Sequence, residues 1–141
     1  MLTIKNLYYS YGEVQALHDV NMEILDGRIT CVMGRNGVGK STLMKNIVGL
    51  LKPSSGSIGM DNQELVEVPP HLRICSGIAY VPQGRMIFPR LSVAENLKVG
   101  LAARSDGLRK VPEYIYDLFP ILNDMASRAG GDLSGGQQQQ L

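Results

Sequence analysis

The residues best suited to chemistry lie at positions 34–41, which read GRNGVGKS. This string satisfies the pattern GxxxxGK[ST], in which a glycine-rich loop leads from a strand into a helix. Gly34, Gly37 and Gly39 let successive backbone N–H groups turn towards one point, because residues without a Cβ reach positive φ at little cost. The segment therefore predicts a loop that binds a polyphosphate.

Side chains around this loop have separate predicted roles. Lys40 offers a mobile cation to the β and γ phosphate oxygens, and the Ser41 hydroxyl is a hard oxygen ligand suited to Mg²⁺. Thr42 adds a donor nearby, and the following helix adds the partial positive charge of its N-terminus. The predicted nucleotide-binding set also includes the remaining residues of the loop, which are Arg35, Asn36 and Val38.

Two competing interpretations of the loop carry less weight. One is a glycine-rich turn with a solvated lysine, although the four fixed positions would match by chance in only about one such chain in a hundred. The second is a dinucleotide-binding loop. Gly34, Asn36 and Gly39 do not fit GxGxxG, so that pattern is not met.

A second glycine cluster lies at positions 133–137, which read LSGGQ. Ser134 and Gln137 fit a capping box, so the simplest interpretation is the start of a helix. Gly135 and Gly136 leave that helix start open. We therefore also expect these four residues to offer an anion-binding surface that faces a phosphate from outside.

The hydrophobic pattern predicts the strands that position the first loop. Apolar and polar residues alternate over 2–11 and 20–25, which predicts two strands that pair in antiparallel orientation. The almost continuous apolar run at 29–33 predicts a central parallel strand, buried on both faces. Further short strands are predicted at 57–60 and 78–81.

Three helices are predicted from apolar residues at helical spacing. The first spans 43–52 and ends at Pro53, the second begins with the capping box of Ser92 and Glu95, and the third runs from Pro112 to Pro120. The predicted inward residues are Leu43, Ile47 and Leu50 in the first, Val93, Leu97 and Leu101 in the second, and Ile115, Leu118 and Phe119 in the third.

Composition limits the function without naming it. A chain of 141 residues suits one domain, and 44% apolar residues argue against disorder. A net charge of +1 indicates no electrostatic surface for nucleic acid, and no apolar run approaches the length of a membrane-spanning helix. Cys31 and Cys75 have no spacing typical of a disulfide scaffold or a zinc site.

Taken together, GRNGVGKS between strand and helix, and LSGGQ further on, resemble the ATP-binding subunits of ABC transporters over the whole chain. The resemblance implies an α/β P-loop NTPase fold with N-terminal antiparallel strands, a parallel core sheet and a helical subdomain. One nucleotide-binding domain would cover 1–141, with a strand-rich ATP-binding part at 1–83 and a helical part at 84–141. Tyr11 matches the aromatic residue that stacks on adenine, and Gln83 matches the glutamine that binds Mg²⁺ beside Ser41.

The same resemblance implies residues that these 141 do not include. Family members carry the Walker B aspartate, the catalytic glutamate and the switch histidine after the signature motif LSGGQ. We therefore expect a C-terminally incomplete domain with no catalytic residue of its own and negligible turnover of ATP. We also expect apolar surface to be exposed around Ile29, Cys31 and Met33, since the family's next strand would cover them.

As a function, the resemblance implies a subunit that binds ATP and Mg²⁺ and drives an importer through hydrolysis. The implied partners are membrane subunits, at a groove near residues 85–90, and a second ATP-binding subunit paired head to tail. Its implied location is peripheral, on the cytoplasmic face of the inner membrane. The stretch YVPQGRMIFPRLSVAENL is similar to importers of branched-chain amino acids and of urea, and GGDLSGGQQQQL is closer to the urea class.

Two alternatives stay open at this point. The chain could be a nucleotide-binding protein without catalysis, if the 141 residues are the natural product. It could also be a P-loop kinase or GTPase. The kinase or GTPase class is disfavoured because the chain has no NKxD motif for guanine and because neither kinases nor GTPases of this kind use LSGGQ.

Overall fold

A computed structural model describes residues 1–104 and 106–141. The chain forms two compact units, Met1–Ala79 and Tyr80–Leu141. Each unit has its own buried cluster of apolar side chains.

The first unit contains a four-stranded sheet in the order β2-β1-β3-β4. Its strands are β1 (Leu2–Tyr11), β2 (Val14–Ile24), β3 (Ser55–Met60) and β4 (Gln63–Glu64). Every neighbouring pair is antiparallel, which confirms the predicted pairing of the two early strands. β2 begins earlier than predicted. The pairing of β1 and β2 has irregular register, which interrupts the alternating pattern used to find strands.

Two helices complete the first unit, α1 (Lys40–Ile47) and α2 (Pro70–Cys75). α1 packs its apolar side against the sheet. The buried cluster consists of Ile4, Leu7, Leu17, Leu43, Ile47, Ile58 and Leu65. The prediction that α1 reaches residue 52 was wrong, because Gly49 adopts φ +82° and ends the helix, which leaves Leu50 exposed.

The predicted parallel core sheet is not formed among the described residues. Residues 29–33 and 78–81 have no strand structure, so the prediction of a strand was wrong for both segments. A strand exists only where its backbone groups pair with a neighbour, and the described sheet offers these segments no partner. The expected exposure of this segment is confirmed: Ile29 is 95% exposed, Met33 is 88% exposed, and Cys31 is also exposed.

The second unit is helical. It contains α3 (Val93–Gly100), α4 (Glu113–Leu118), α5 (Pro120–Asp124) and α6 (Gly135–Gln140), with short 3-10 turns at Leu101–Ala103 and Gly130–Asp132. Val93, Leu122 and Leu133 form its buried centre. The capping box at the start of α3 is confirmed, with both reciprocal hydrogen bonds between Ser92 and Glu95 present.

Two predictions for the second unit need correction. Pro120 ends the preceding helix as predicted but also begins α5, because proline fits the first turn of a helix, where no N–H is needed. Leu118 was predicted to face inward and is 65% exposed, whereas Phe119 packs against the buried cluster. Across the described part of the chain, no helix combines the length and the apolar character needed to cross a membrane.

Candidate functional site

The predicted phosphate loop leads directly into α1. Gly39 is the N-cap of this helix, has φ +98°, and provides no side-chain hydrogen bond to the first turn. The N–H groups of that turn therefore have no side-chain cap, unlike those of most helices that begin with Ser, Thr or Asp. A helix start of this kind is suited to an anion, because its N–H groups and its dipole both favour negative charge.

Packing as well as conformation requires glycine at position 39. A Cβ there would lie 2.6 Å from the carbonyl oxygen of Ala16 and 3.0 Å from Leu17 Cδ2. Since both atoms belong to β2, the loop is pressed against the sheet at this point. The glycine thus fixes where α1 begins relative to β2.

Lys40 closes the loop on itself. Its ammonium donates hydrogen bonds to the carbonyl oxygens of Gly34, at 2.7 Å, and Arg35, at 2.6 Å. An ammonium has three donors, so one N–H remains for another acceptor. Ser41 is exposed in the first turn of α1, where its hydroxyl is accessible to a metal ion bound by a nucleotide. These features fit a magnesium–nucleotide complex.

The structure brings Tyr11 to the same helix. Its hydroxyl lies 3.4 Å from Thr42 Oγ1, and its ring meets Tyr9 edge to face with centroids 4.9 Å apart. The side chain is 48% exposed. A half-exposed aromatic ring can stack on a nucleobase, so its position fits the predicted adenine contact.

The LSGGQ segment forms the capping box that its sequence predicts. The Ser134 hydroxyl accepts from the Gln137 N–H at 3.4 Å, and the Gln137 side-chain oxygen accepts from the Ser134 N–H at 2.8 Å. A Cβ on Gly136 would meet nothing within 4 Å, whereas one on Gly135 would lie 3.0 Å from the Arg85 guanidinium. The side chains of Ser134 and Gln137 thus already bind two of the backbone N–H groups at this helix start.

Gln83 is exposed and lies in irregular chain of the second unit. It is followed by three consecutive residues with left-handed backbone, Gly84, Arg85 and Met86, at φ values of 88°, 70° and 54°. Thus Tyr11 and the phosphate loop belong to the first unit, while Gln83 and the residues 134–137 belong to the second. No group of three or more His, Cys, Asp or Glu residues that could hold a metal occurs in the ranges described.

Sequence reasoning missed two buried polar residues, Asn46 within α1 and Arg73 within α2. Asn46 is 0% exposed and Arg73 is 1% exposed. Both are bound mainly to backbone groups, which leave no motif in the sequence. The only sequence signal was Gly49, which ends α1 and whose Cβ would lie 2.9 Å from Arg73 Nε.

Comparison with known proteins gives a consistent picture. A family model described as "ABC transporter" matches residues 17–141. The high-affinity branched-chain amino acid transport ATP-binding protein BraG of Pseudomonas aeruginosa is 39% identical over 142 residues, covering 100% of this chain and 61% of BraG. The probable branched-chain amino acid transport ATP-binding protein LivF of Archaeoglobus fulgidus is 42% identical over 144 residues, with 100% and 60% covered. The chain thus spans about three fifths of the length of these relatives.

Solved structures agree on the fold. A dimeric ATP-binding cassette in a post-hydrolysis state, bound to ADP and Pi, superposes with a TM-score of 0.84 at 29% identity, covering 99% of this chain and 66% of that one. A nucleotide-free ATP-binding cassette from an ABC transporter gives 0.78 at 27% identity, with 98% and 60% covered. These superpositions confirm the α/β P-loop fold predicted from the sequence.

Proposed function

Because the chain belongs to the ABC transporter family, we propose that it forms the nucleotide-binding part of a subunit that uses ATP to drive an importer. The observation that carries this proposal is the start of α1, where an uncapped helix N-terminus, the Lys40 ammonium and the Ser41 hydroxyl meet in one loop. Such an arrangement neutralises a polyphosphate and supplies an oxygen ligand to its Mg²⁺.

In this proposal each residue of the loop has one task. Backbone N–H groups of the loop and of the first turn of α1 bind the phosphates, Lys40 places its third donor on a β or γ oxygen, and Ser41 coordinates the metal. Tyr11 holds the adenine by stacking. Mg²⁺ would neutralise the negative charge of the β and γ phosphates. A metal-binding role for Gln83, which belongs to the second unit, stays a prediction from the sequence resemblance.

The proposed cargo is a branched-chain amino acid. The support is the similarity to BraG and LivF, both of which are named for branched-chain amino acid transport. Urea, which the glutamines after LSGGQ favour, stays a prediction from the sequence. The residues near the nucleotide do not touch the cargo, so the site itself is compatible with either.

The proposed partners follow the same reasoning. A second ATP-binding subunit would present its own residues 134–137 to the nucleotide, and the dimeric cassette that shares this fold supports such a pairing. Membrane subunits would bind beside Phe88, which is 52% exposed and lines an open cavity of the second unit with Tyr80, Met86 and Leu141. Peripheral attachment to the inner membrane belongs to this proposal.

Hydrolysis is proposed for the complete subunit. None of the described residues is assigned to orient a water molecule against the γ phosphate, which phosphoryl transfer to water requires. Negligible turnover by these 141 residues alone stays a prediction. A clear Mg²⁺-dependent ATPase rate that Lys40→Ala removes would contradict it.

The nucleotide assignment is tested by equilibrium binding of Mg–ATP. Lys40→Ala removes the cation that faces the phosphates, so we expect the Kd to rise at least about tenfold, the equivalent of one hydrogen bond to a charged group. Lys45→Ala is the matched control, because Lys45 is an exposed lysine near the other end of α1. Equal affinity of both variants, or no binding by the unmodified protein, would overturn the assignment.

A further inference from the structure

Arg73 is buried without a carboxylate partner. Its guanidinium donates four hydrogen bonds, all to backbone carbonyl oxygens: Nη1 to Asn46 at 2.7 Å and to Ile47 at 2.8 Å, Nε to Val68 at 2.8 Å, and Nη2 to Val66 at 3.2 Å. Among the ion pairs formed by residues 1–104 and 106–141, none involves Arg73. Burial lowers the pKa of Arg73, with the charge of Glu64 acting in the opposite direction.

Burying a guanidinium is costly, and an apolar side chain of similar size would fill the same space without that cost. We therefore expect the charge of Arg73 to stabilise the groups that surround it. Two of the four carbonyls belong to the last turn of α1, where the helix dipole is negative. The Asn46 carbonyl also accepts from the Gly49 N–H at 3.1 Å, so Arg73 adds to the groups that end the helix. Arg73 thus caps the C-terminal end of α1 and ties it to the segment between β4 and α2.

The opposite end of α1 is the phosphate loop. The helix has only eight residues and is about 12 Å long, so its two ends belong to one short rod. A helix of this length is not stable by itself, and its position depends on the groups that hold it. At its N-terminal end, α1 packs closely against β2 through Gly39, and Arg73 binds the carbonyl groups at its C-terminal end.

Asn46 extends the link towards the nucleotide side. Its side-chain Nδ2 donates to the carbonyl oxygen of Thr42 at 2.8 Å, while its buried Oδ1 accepts no hydrogen bond from the residues that the structure describes. Thr42 in turn lies 3.4 Å from the Tyr11 hydroxyl through its own Oγ1. A line of direct contacts therefore runs from Arg73 through Asn46 and Thr42 to Tyr11.

We propose that Arg73 is a positioning residue of the nucleotide site, which holds α1 so that the phosphate loop and Thr42 keep the placement that a triphosphate requires. The proposal rests on the proposed function, since it names what the loop must hold. Arg73 touches no nucleotide in this arrangement. Its effect falls on the phosphate part of the ligand, because α1 carries the loop and only indirectly supports the base.

The experiment compares binding of Mg–ATP and of AMP, and its readout is the ratio of the two dissociation constants. Arg73→Met removes the charge and the planar fork at similar length, and Arg73→Lys keeps the charge alone. We expect Arg73→Met to lower the preference for ATP about tenfold, the scale of one hydrogen bond to a charged group, and Arg73→Lys to restore part of it.

Ile4→Val is the control for stability, because Ile4 is a buried core residue of β1 whose apolar side chain forms no hydrogen bond to the end of α1. We expect this variant to melt at a lower temperature and to keep the preference of the unmodified protein for ATP. All binding is measured below the melting transition of each variant. A loss of preference in Ile4→Val would show that general loosening causes the effect, and would overturn the proposal.

The remaining outcomes are equally decisive. If folded Arg73→Met keeps the full preference for ATP, the positioning role is wrong. If Arg73→Met does not fold, Arg73→Lys decides, and an Arg73→Lys variant that is unfolded or unchanged in preference overturns the proposal. Failure of the proposed function is distinguishable, because the unmodified protein would then bind ATP no better than AMP.

Discussion

The two glycine-rich helix starts of this protein satisfy their backbone N–H groups in different ways. At α1 the N-cap is Gly39, which offers no side-chain cap and is placed by its contact with β2. At α6 the side chains of Ser134 and Gln137 cap the first turn reciprocally. The first start is open to a ligand, whereas the second is already capped by its own residues.

This difference predicts that the two helix starts interact with an anion in different ways. An uncapped start with Lys40 beside it can hold an anion alone, because unsatisfied N–H groups and a cation act on the same point. A capped start gains less from an anion and depends on another molecule to bring one close. In the proposed function, nucleotide affinity therefore belongs to the α1 loop and assembly to the α6 segment.

The largest expected effect comes from adding one methyl group at each start. Gly39→Ala would place a Cβ 2.6 Å from the Ala16 carbonyl oxygen at φ +98°, so we expect about 2–4 kcal/mol of lost stability and no measurable Mg–ATP binding. Gly136→Ala meets nothing within 4 Å, so its effect should stay within about 1 kcal/mol. Chemical denaturation of both variants measures the contrast.

Gly37→Ala serves as the intermediate case, because Gly37 has φ +85° but open space around its Cβ position. It should show the cost of backbone strain without the collision. Similar losses for Gly39→Ala and Gly136→Ala would remove the proposed difference between the two helix starts.

A smaller effect should separate the two uses of Ser134. Ser134→Ala removes one reciprocal hydrogen bond, so α6 should lose about 0.5–2 kcal/mol while Mg–ATP affinity stays unchanged. Ser134→Arg places a bulky cation at the same point and should also prevent ATP-dependent dimers of the complete subunit. Ser92→Ala is the matched control, because it removes the equivalent cap from α3 without touching the LSGGQ segment. If light scattering still detects the dimers in the Ser134→Arg variant, Ser134 acts as a helix cap and has no role in assembly.

The smallest effect compares the capping boxes of α3 and α6 across pH. Hydrogen bonds from the backbone N–H and the hydroxyl of Ser92 lower the pKa of Glu95 below its ordinary value of 4.5. The stabilisation from this carboxylate is therefore fully present above pH 4.5 and is lost as the pH falls through the lowered pKa. Gln137 does not titrate, so α6 should show no such loss.

NMR chemical shifts of the first-turn amides of α3 and α6, followed between about pH 2 and pH 6, measure this difference. Glu95→Gln should remove the pH dependence of α3 and make the two helix starts behave alike. Equal pH dependence at both starts in the unmodified protein would show that the carboxylate of Glu95 is not its source.

What the sequence could predict depends on how far apart the interacting residues lie. The capping boxes at Ser92 and Ser134 were predictable because each is formed within four residues. The early antiparallel strands were predictable from alternation. By contrast, the strand expected at 29–33 requires hydrogen bonds to a neighbour, and no local pattern can supply that neighbour.

The same rule accounts for what was missed at the candidate site. The loop and Lys40 follow from a contiguous motif, but the need for glycine at position 39 arises from the carbonyl of Ala16, which lies far away in sequence. Arg73 was invisible because its partners are carbonyl groups, which every residue carries. Motifs thus located the site, and the groups that hold it became visible only in three dimensions.

Backbone amide shifts during a titration with Mg–ATP test the central claim most directly, because they report on both helix starts in one experiment. At protein concentrations too low for pairing, we expect the shifts to concentrate at residues 34–42 and at Tyr11, while residues 134–137 stay unperturbed. In the Lys40→Ala variant, the amides of residues 34–42 and of Tyr11 should not shift at the same ligand concentration. Shifts that concentrate at 134–137 and leave 34–42 unchanged would contradict the assignment of nucleotide affinity to the α1 loop.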